Sequence, residues 1–264
     1  MQLSKPTPYT VHTEGMVVYE LFNFITSLIR KIYQAIVDTA KWIVKQFRPS
    51  THYKAMLEKR RDTILRNLSL VNEKAWEQSE MYIEKYSDMR NKLDSAGIVI
   101  GLTRTMLVDF RSLQDDMSFA LIKEMTPHLK VLGFYVDQDT KKVIRMSEVP
   151  EIHHKRLSDL GWSLAKVKDS VNDVIRLADN QSLFKEMEKT LNKLKKDTQA
   201  IEKRMSKASD KKAVMDSMDA QRIQTINKYV VFFATLSKAI IGTSHNISFK
   251  YINLCDKMKT LSVG

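Results

Sequence analysis

Residues 16–47 read MVVYELFNFITSLIRKIYQAIVDTAKWIVKQF. Val18, Leu21, Phe22, Ile25, Leu28, Ile29, Ile32, Ile36, Ala40, Ile43 and Phe47 recur every three or four residues, so a helix gathers them into one apolar stripe. Arg30, Lys31, Lys41 and Lys45 occupy much of the remaining surface, and Arg48-Pro49 is the predicted end of the helix. A stripe of this width must be covered by the rest of the chain, by a second copy or by a membrane surface. Leu21, Ile25, Leu28, Ile32, Ile36, Ile43 and Phe47 are therefore the predicted association surface.

Outward from that stretch, composition points the same way. Only 7 Gly and 5 Pro occur in 264 residues, and the remainder is rich in Leu, Ile, Met, Lys and acidic residues, which suits helices. The 43 Lys and Arg against 31 Asp and Glu give a formal charge of +12, favouring anionic partners: nucleic acid, acidic protein or anionic lipid. A single cysteine, Cys255, excludes an intrachain disulfide and a cysteine-rich metal knot. The first fifteen residues are polar, with Pro6 and Pro8, and lack the basic start and apolar core of a signal peptide. No run reaches the roughly 18 apolar residues needed to span a bilayer; the nearest, Tyr229 to Ile241, contains Lys238.

The expected organisation is a polar leader over 1–15, an amphipathic basic helix over 16–48 and a helical bundle over 50–264. Leu57, Ile64, Leu68, Val71, Ala75, Tyr82, Tyr86, Met89 and Leu93 form a narrow seam that predicts one long helix. Gly97 and Gly101 loosen its end, and a third helix runs from Leu102 to near Pro127. Phe134-Tyr135-Val136 and Val143-Ile144-Arg145 flank a polar stretch, Asp137 to Lys142, and predict a hairpin near 133–146 that rests on helices. A fourth helix is expected from Pro150 to Ala178, a fifth from Ser182 through Met205, and a sixth from Val214 to a stop at Gly242, followed by a short last helix. The predicted fold class is all-α: an elongated bundle of long amphipathic, coiled-coil-like helices with one small β-hairpin.

Catalytic constellations are absent from the sequence. None of the six histidines has metal-ligand spacing, and adjacent His153 and His154 diverge on a helix. Asp115 and Asp116 read as a solvated acidic edge, and Cys255 as packing on the inner side of the final helix. No phosphate loop and no Gly-x-Ser-x-Gly elbow occurs. The chain is thus expected to be no enzyme, with no catalytic residue, metal, cofactor or small-molecule substrate. Residues 185–212 hold ten basic and five acidic residues, and Lys193, Lys195, Lys196, Lys203 and Arg204 are the predicted anion or DNA contacts.

The polar leader with Thr13-Glu14-Gly15, the amphipathic helix closing on Lys41-Trp42-Ile43-Val44-Lys45-Gln46-Phe47, and the long charged helices behind it resemble the internal head proteins of large tailed bacteriophages. The resemblance implies a non-enzymatic virion protein packed inside the capsid with DNA and ejected with it. It implies other virion proteins or self as partners, and the infected host's cytoplasm as the place of assembly. It also implies that Glu14 and Gly15 would flank a maturation cut. Two alternatives stand beside it: a membrane-acting, pore-forming-like helical protein, and an oligomeric helical scaffold.

Overall fold

The computed structural model describes residues 8–112, 115–147, 153–207 and 218–262. The fold is an all-α bundle of long helices with a small β-hairpin, as the periodicity predicts. Helix α1 (Pro8–Asn67) has 60 residues, a contour of about 90 Å at 1.5 Å per residue. After a single 3-10 turn at Leu68–Leu70 come α2 (Glu73–Gln78) and β1 (Glu80–Ile83). Then follow α3 (Tyr86–Ser112), α4 (Asp115–Val131), β2 (Phe134–Val136), β3 (Val143–Arg145) and β4 (His153–Arg156). Helices α5 (Leu164–Ala178), α6 (Gln181–Lys207) and α7 (Met218–Thr260) complete the chain. The first helix packs along α5, α6 and α7, while α3 pairs with α4 and also touches α5, α6 and α7.

The stripe opening the sequence is covered from within. Ile25, Ile29, Ile32, Ile36 and Ile43 are buried, and Leu28 and Phe47 pack against the same core. Each buried isoleucine is worth about 2 kcal/mol of apolar transfer. The association surface predicted over Leu28, Phe47 and four of these isoleucines is therefore corrected: what it associates with is the chain's own α6 and α7. The side chain of Leu21 lies outside the described residues. The reason is economy of cover: α6 and α7 carry apolar faces of comparable length, with Leu183, Met187, Leu191 and Leu194 on one and Tyr229, Val230, Phe233 and Leu236 on the other.

Several predicted boundaries move. Of the predicted polar leader over 1–15, residues 8–15 form the first turns of α1, and 1–7 lie outside the described residues. Pro49 lies inside α1, so the expected boundary between a 16–48 helix and a 50–264 bundle does not exist. An interior proline costs about 3 kcal/mol by removing a hydrogen bond and crowding the preceding turn. Contacts on both sides hold the helix through it. The Phe47 ring stacks on Phe184 at 6.0 Å, Ser50 Oγ lies 3.2 Å from His245 Nε2, and Lys54 Nζ donates to Asp179 at 2.8 Å.

The seam from Leu57 to Leu93 is not one helix. Asn72 caps α2 by accepting from the Ala75 amide, Ser79 ends it, and β1 then pairs antiparallel with β4 in the register Glu80–Arg156 to Ile83–His153. His153-His154 accordingly lies on a strand, where the fourth helix was expected. Leu157 and Leu160 mimic helical spacing because both are buried in a tight turn. That turn closes at Gly161 with φ +74°, a conformation glycine adopts without the penalty of a Cβ. Helix α5 starts only at Leu164, where Ser163 Oγ accepts from the Lys166 amide.

Gly97 and Gly101 sit within α3, Pro127 within α4, and Gly242 within α7 rather than at a stop. In α7, Ala239, Ile240, Ile241, Ser244 and Ile247 are all buried on either side of Gly242, so tertiary burial outweighs its poor helix propensity.

The hairpin forms where expected, with Phe134–Arg145 to Val136–Val143 in register. Asp137 Oδ1 accepts from the Thr140 amide and hydroxyl, both at 2.7 Å, and these bonds, the amide's first, hold its carboxyl below the usual carboxylate range. Its support is α7: the Val143 amide donates to Thr235 Oγ1 at 2.9 Å.

Candidate functional site

Two tryptophans place Glu84, the one buried carboxylate among the described residues. Trp76 Nε1 donates to the Trp162 carbonyl at 2.9 Å, and Trp162 Nε1 donates to the Glu84 carbonyl at 2.9 Å. Trp162 is itself gripped edge-on by Tyr86 and Tyr251. Glu84, immediately after β1, is thereby fixed at the head of α3 with its side chain only 3% exposed. Its Oε1 accepts from Lys250 Nζ at 2.6 Å, and Oε2 accepts from Lys92 Nζ. Burial pushes the Glu84 carboxyl upward, but the hydrogen bonds from Lys250 and Lys92 outweigh it and hold the pKa below its ordinary value.

This triad forms one wall of a cleft of about 500 Å³ between the hairpin, α3 and α7. Lys238, Gly242, Asn246 and Lys250 recur every four residues along α7 and share one face of it. At Gly242 an added Cβ would meet no atom within 4 Å, so the missing side chain keeps that wall open. Arg145 enters from β3, and Lys238 lies 5.9 Å from the centre of the Trp42 ring. Leu132, Phe134 and Val143 provide apolar lining. A cleft of this volume with an apolar lining and a few convergent charges suits a small organic ligand.

Of the anion contacts predicted on α6, Lys193, Lys196 and Lys203 share one exposed arc with Lys185 and Lys189, which were not among them. Lys185, Lys189, Lys193, Lys196 and Lys203 are exposed and lie within about 80° of arc at 100° per residue. Arg204 borders this strip and is exposed. Lys195 stands apart, half-buried with its Nζ 5.1 Å from the centre of the Tyr33 ring. Leu183, Met187, Leu191, Leu194 and Ile201 bury the opposite face. The acidic residues Glu186, Glu188, Asp197 and Glu202 lie outside the basic arc and are only half-exposed.

Glu14 and Gly15 lie in the second turn of α1, so the backbone at the resemblance-implied cut is helical. Among the described residues, no three His, Cys, Asp or Glu side chains gather as a metal site, and no helix is long and apolar enough to cross a membrane. His154 Nδ1 lies 3.5 Å from Glu80 across the β1–β4 ladder. Cys255 is buried in the bundle, where burial pushes its thiol up to about 12. It lines a smaller cavity of about 200 Å³ beside Arg60, whose guanidinium is forked onto Asp256 at 2.9 Å.

Sequence reasoning missed the cleft. Its basic members lie far apart in the chain, and the only local signal was the spacing of four from Lys238 to Lys250. No family model, curated protein or solved structure matches the chain.

Proposed function

We propose that this chain is a non-enzymatic structural protein of a tailed bacteriophage, housed in the head beside the genome. The observation that carries the reading is the charge segregation on α6: five exposed lysines share one arc, opposite the buried seam. Such a strip follows a phosphate backbone without reading bases. The strip from Lys185 to Lys203 extends about 27 Å, long enough to meet several phosphates of a duplex. The layout of the first fifty residues, which resembles internal head proteins, supplies the setting. The membrane-acting alternative requires refolding, because the described part of the stripe is covered by α6 and α7 in this fold.

Two measurements test the reading. Proteomic mass spectrometry of purified particles should find the chain inside virions; particles that lack it remove the virion role. Binding of the intact protein to duplex DNA should weaken steeply with salt and be indifferent to sequence. Replacing Lys193, Lys196 and Lys203 with Gln together should flatten the log–log salt dependence by about three. An unchanged slope would place the DNA contacts elsewhere.

A further inference from the structure

The cleft beside Glu84 carries more positive charge than its own structure uses. Glu84 is the one carboxylate among its described lining residues, against Lys92, Arg145, Lys238 and Lys250. Two of these cations are spent on Glu84, and their side chains are only 19% and 15% exposed. Two sheltered ammonium groups sharing one carboxylate leave a net positive charge in a place with little water to screen it. Arg145 and Lys238 add two more, and neither forms an ion pair with a described residue. Among the described lining residues the excess is three positive charges around a half-open cleft.

We propose that this cleft binds a small organic diphosphate. Its phosphoryl groups meet the four basic side chains, and its apolar or aromatic body lies against Phe134 and Val143. A diphosphate monoester carries close to three negative charges near neutral pH, matching the excess. Volume favours the same class: about 500 Å³ accepts a nucleotide-sized molecule but not a duplex. The inference uses none of the α6 lysines, so it stands or falls independently of the DNA-binding face.

Isothermal titration of the intact protein with inorganic pyrophosphate, then with a nucleoside diphosphate, tests it. Both should bind at one site per chain, the nucleoside diphosphate more tightly because its body reaches the apolar wall. The double variant Arg145→Gln/Lys238→Gln changes two exposed side chains and should keep the melting temperature of the free protein. It should weaken both ligands about tenfold per side chain. Gly242→Phe should fill the cleft and abolish binding while circular dichroism stays helical. Absence of heat with both ligands, or undiminished binding by the double variant, overturns the proposal. So does protein that binds phosphatidylglycerol vesicles through these two residues while ignoring soluble diphosphates.

Discussion

The indole nitrogen of Trp162 donates to the backbone carbonyl of Glu84 at 2.9 Å, and this bond joins the turn before α5 to the start of α3. It fixes the backbone from which the Glu84 carboxylate reaches Lys92 and Lys250. Trp162→Phe keeps most of the packing but leaves that buried carbonyl without its donor. The loss should be about 1–3 kcal/mol, read as a lower urea midpoint at unchanged slope.

The Glu84 carboxyl has a lower pKa in the folded chain than when free. It therefore contributes stability that is present above its unfolded pKa, about 4.3, and is lost as pH falls through the folded value. Melting temperature should drop on acidification below about pH 4.5, and Glu84→Gln should flatten that part of the profile. At pH 7 the same variant should lose about 3 kcal/mol, since two lysines keep a neutral partner in place of an ion. A variant with the wild-type acid profile would show that Glu84 is not the group responsible.

Gly242 sits in a helix interior with open space where a Cβ would go. Gly242→Ala should raise stability by about 0.5–1 kcal/mol, because the unfolded chain loses freedom and nothing in the fold is displaced. Thermal melting decides this directly; a fall in melting temperature would mean that the wall of the cleft cannot take a methyl group.

Cys255 is buried and its thiol is pushed up to about 12, so at neutral pH almost none of it is thiolate. A thiol reagent should leave the native protein unmodified for hours and react promptly once urea unfolds it. Rapid native labelling would contradict the packing around α7.

Ile36 is fully buried in α1, where it contacts the common core. Ile36→Ala should cost about 2–5 kcal/mol. Equilibrium denaturation at two protein concentrations separates the two roles the stripe could have. An internal core residue gives a loss independent of concentration, whereas a subunit interface gives one that varies with it.

Much of this architecture was legible from periodicity. The apolar stripe of α1, the seam of α6 and the hairpin at Phe134 to Arg145 each declare themselves through local spacing. What stayed hidden depends on distant partners. Pro49 and Gly242 read as ends because their local cost is real, and only the facing helices make continuation favourable. The β1–β4 ladder joins Glu80 to Arg156, and neither strand has the β-branched alternation that would mark it alone. Within the site, the lysine arc on α6 was foreseeable from one helix. The convergence of Lys92, Arg145 and Lys250 was not, because three separate elements deliver it.

The partners of the α1 stripe lie more than a hundred residues downstream, on α6 and α7. A ribosome working at about 5–20 residues per second therefore leaves that stripe bare for on the order of ten seconds before its cover emerges. During this interval the nascent chain presents a basic, greasy helix to the cell. That interval is when a chaperone would find an apolar surface on this chain that the finished molecule no longer offers.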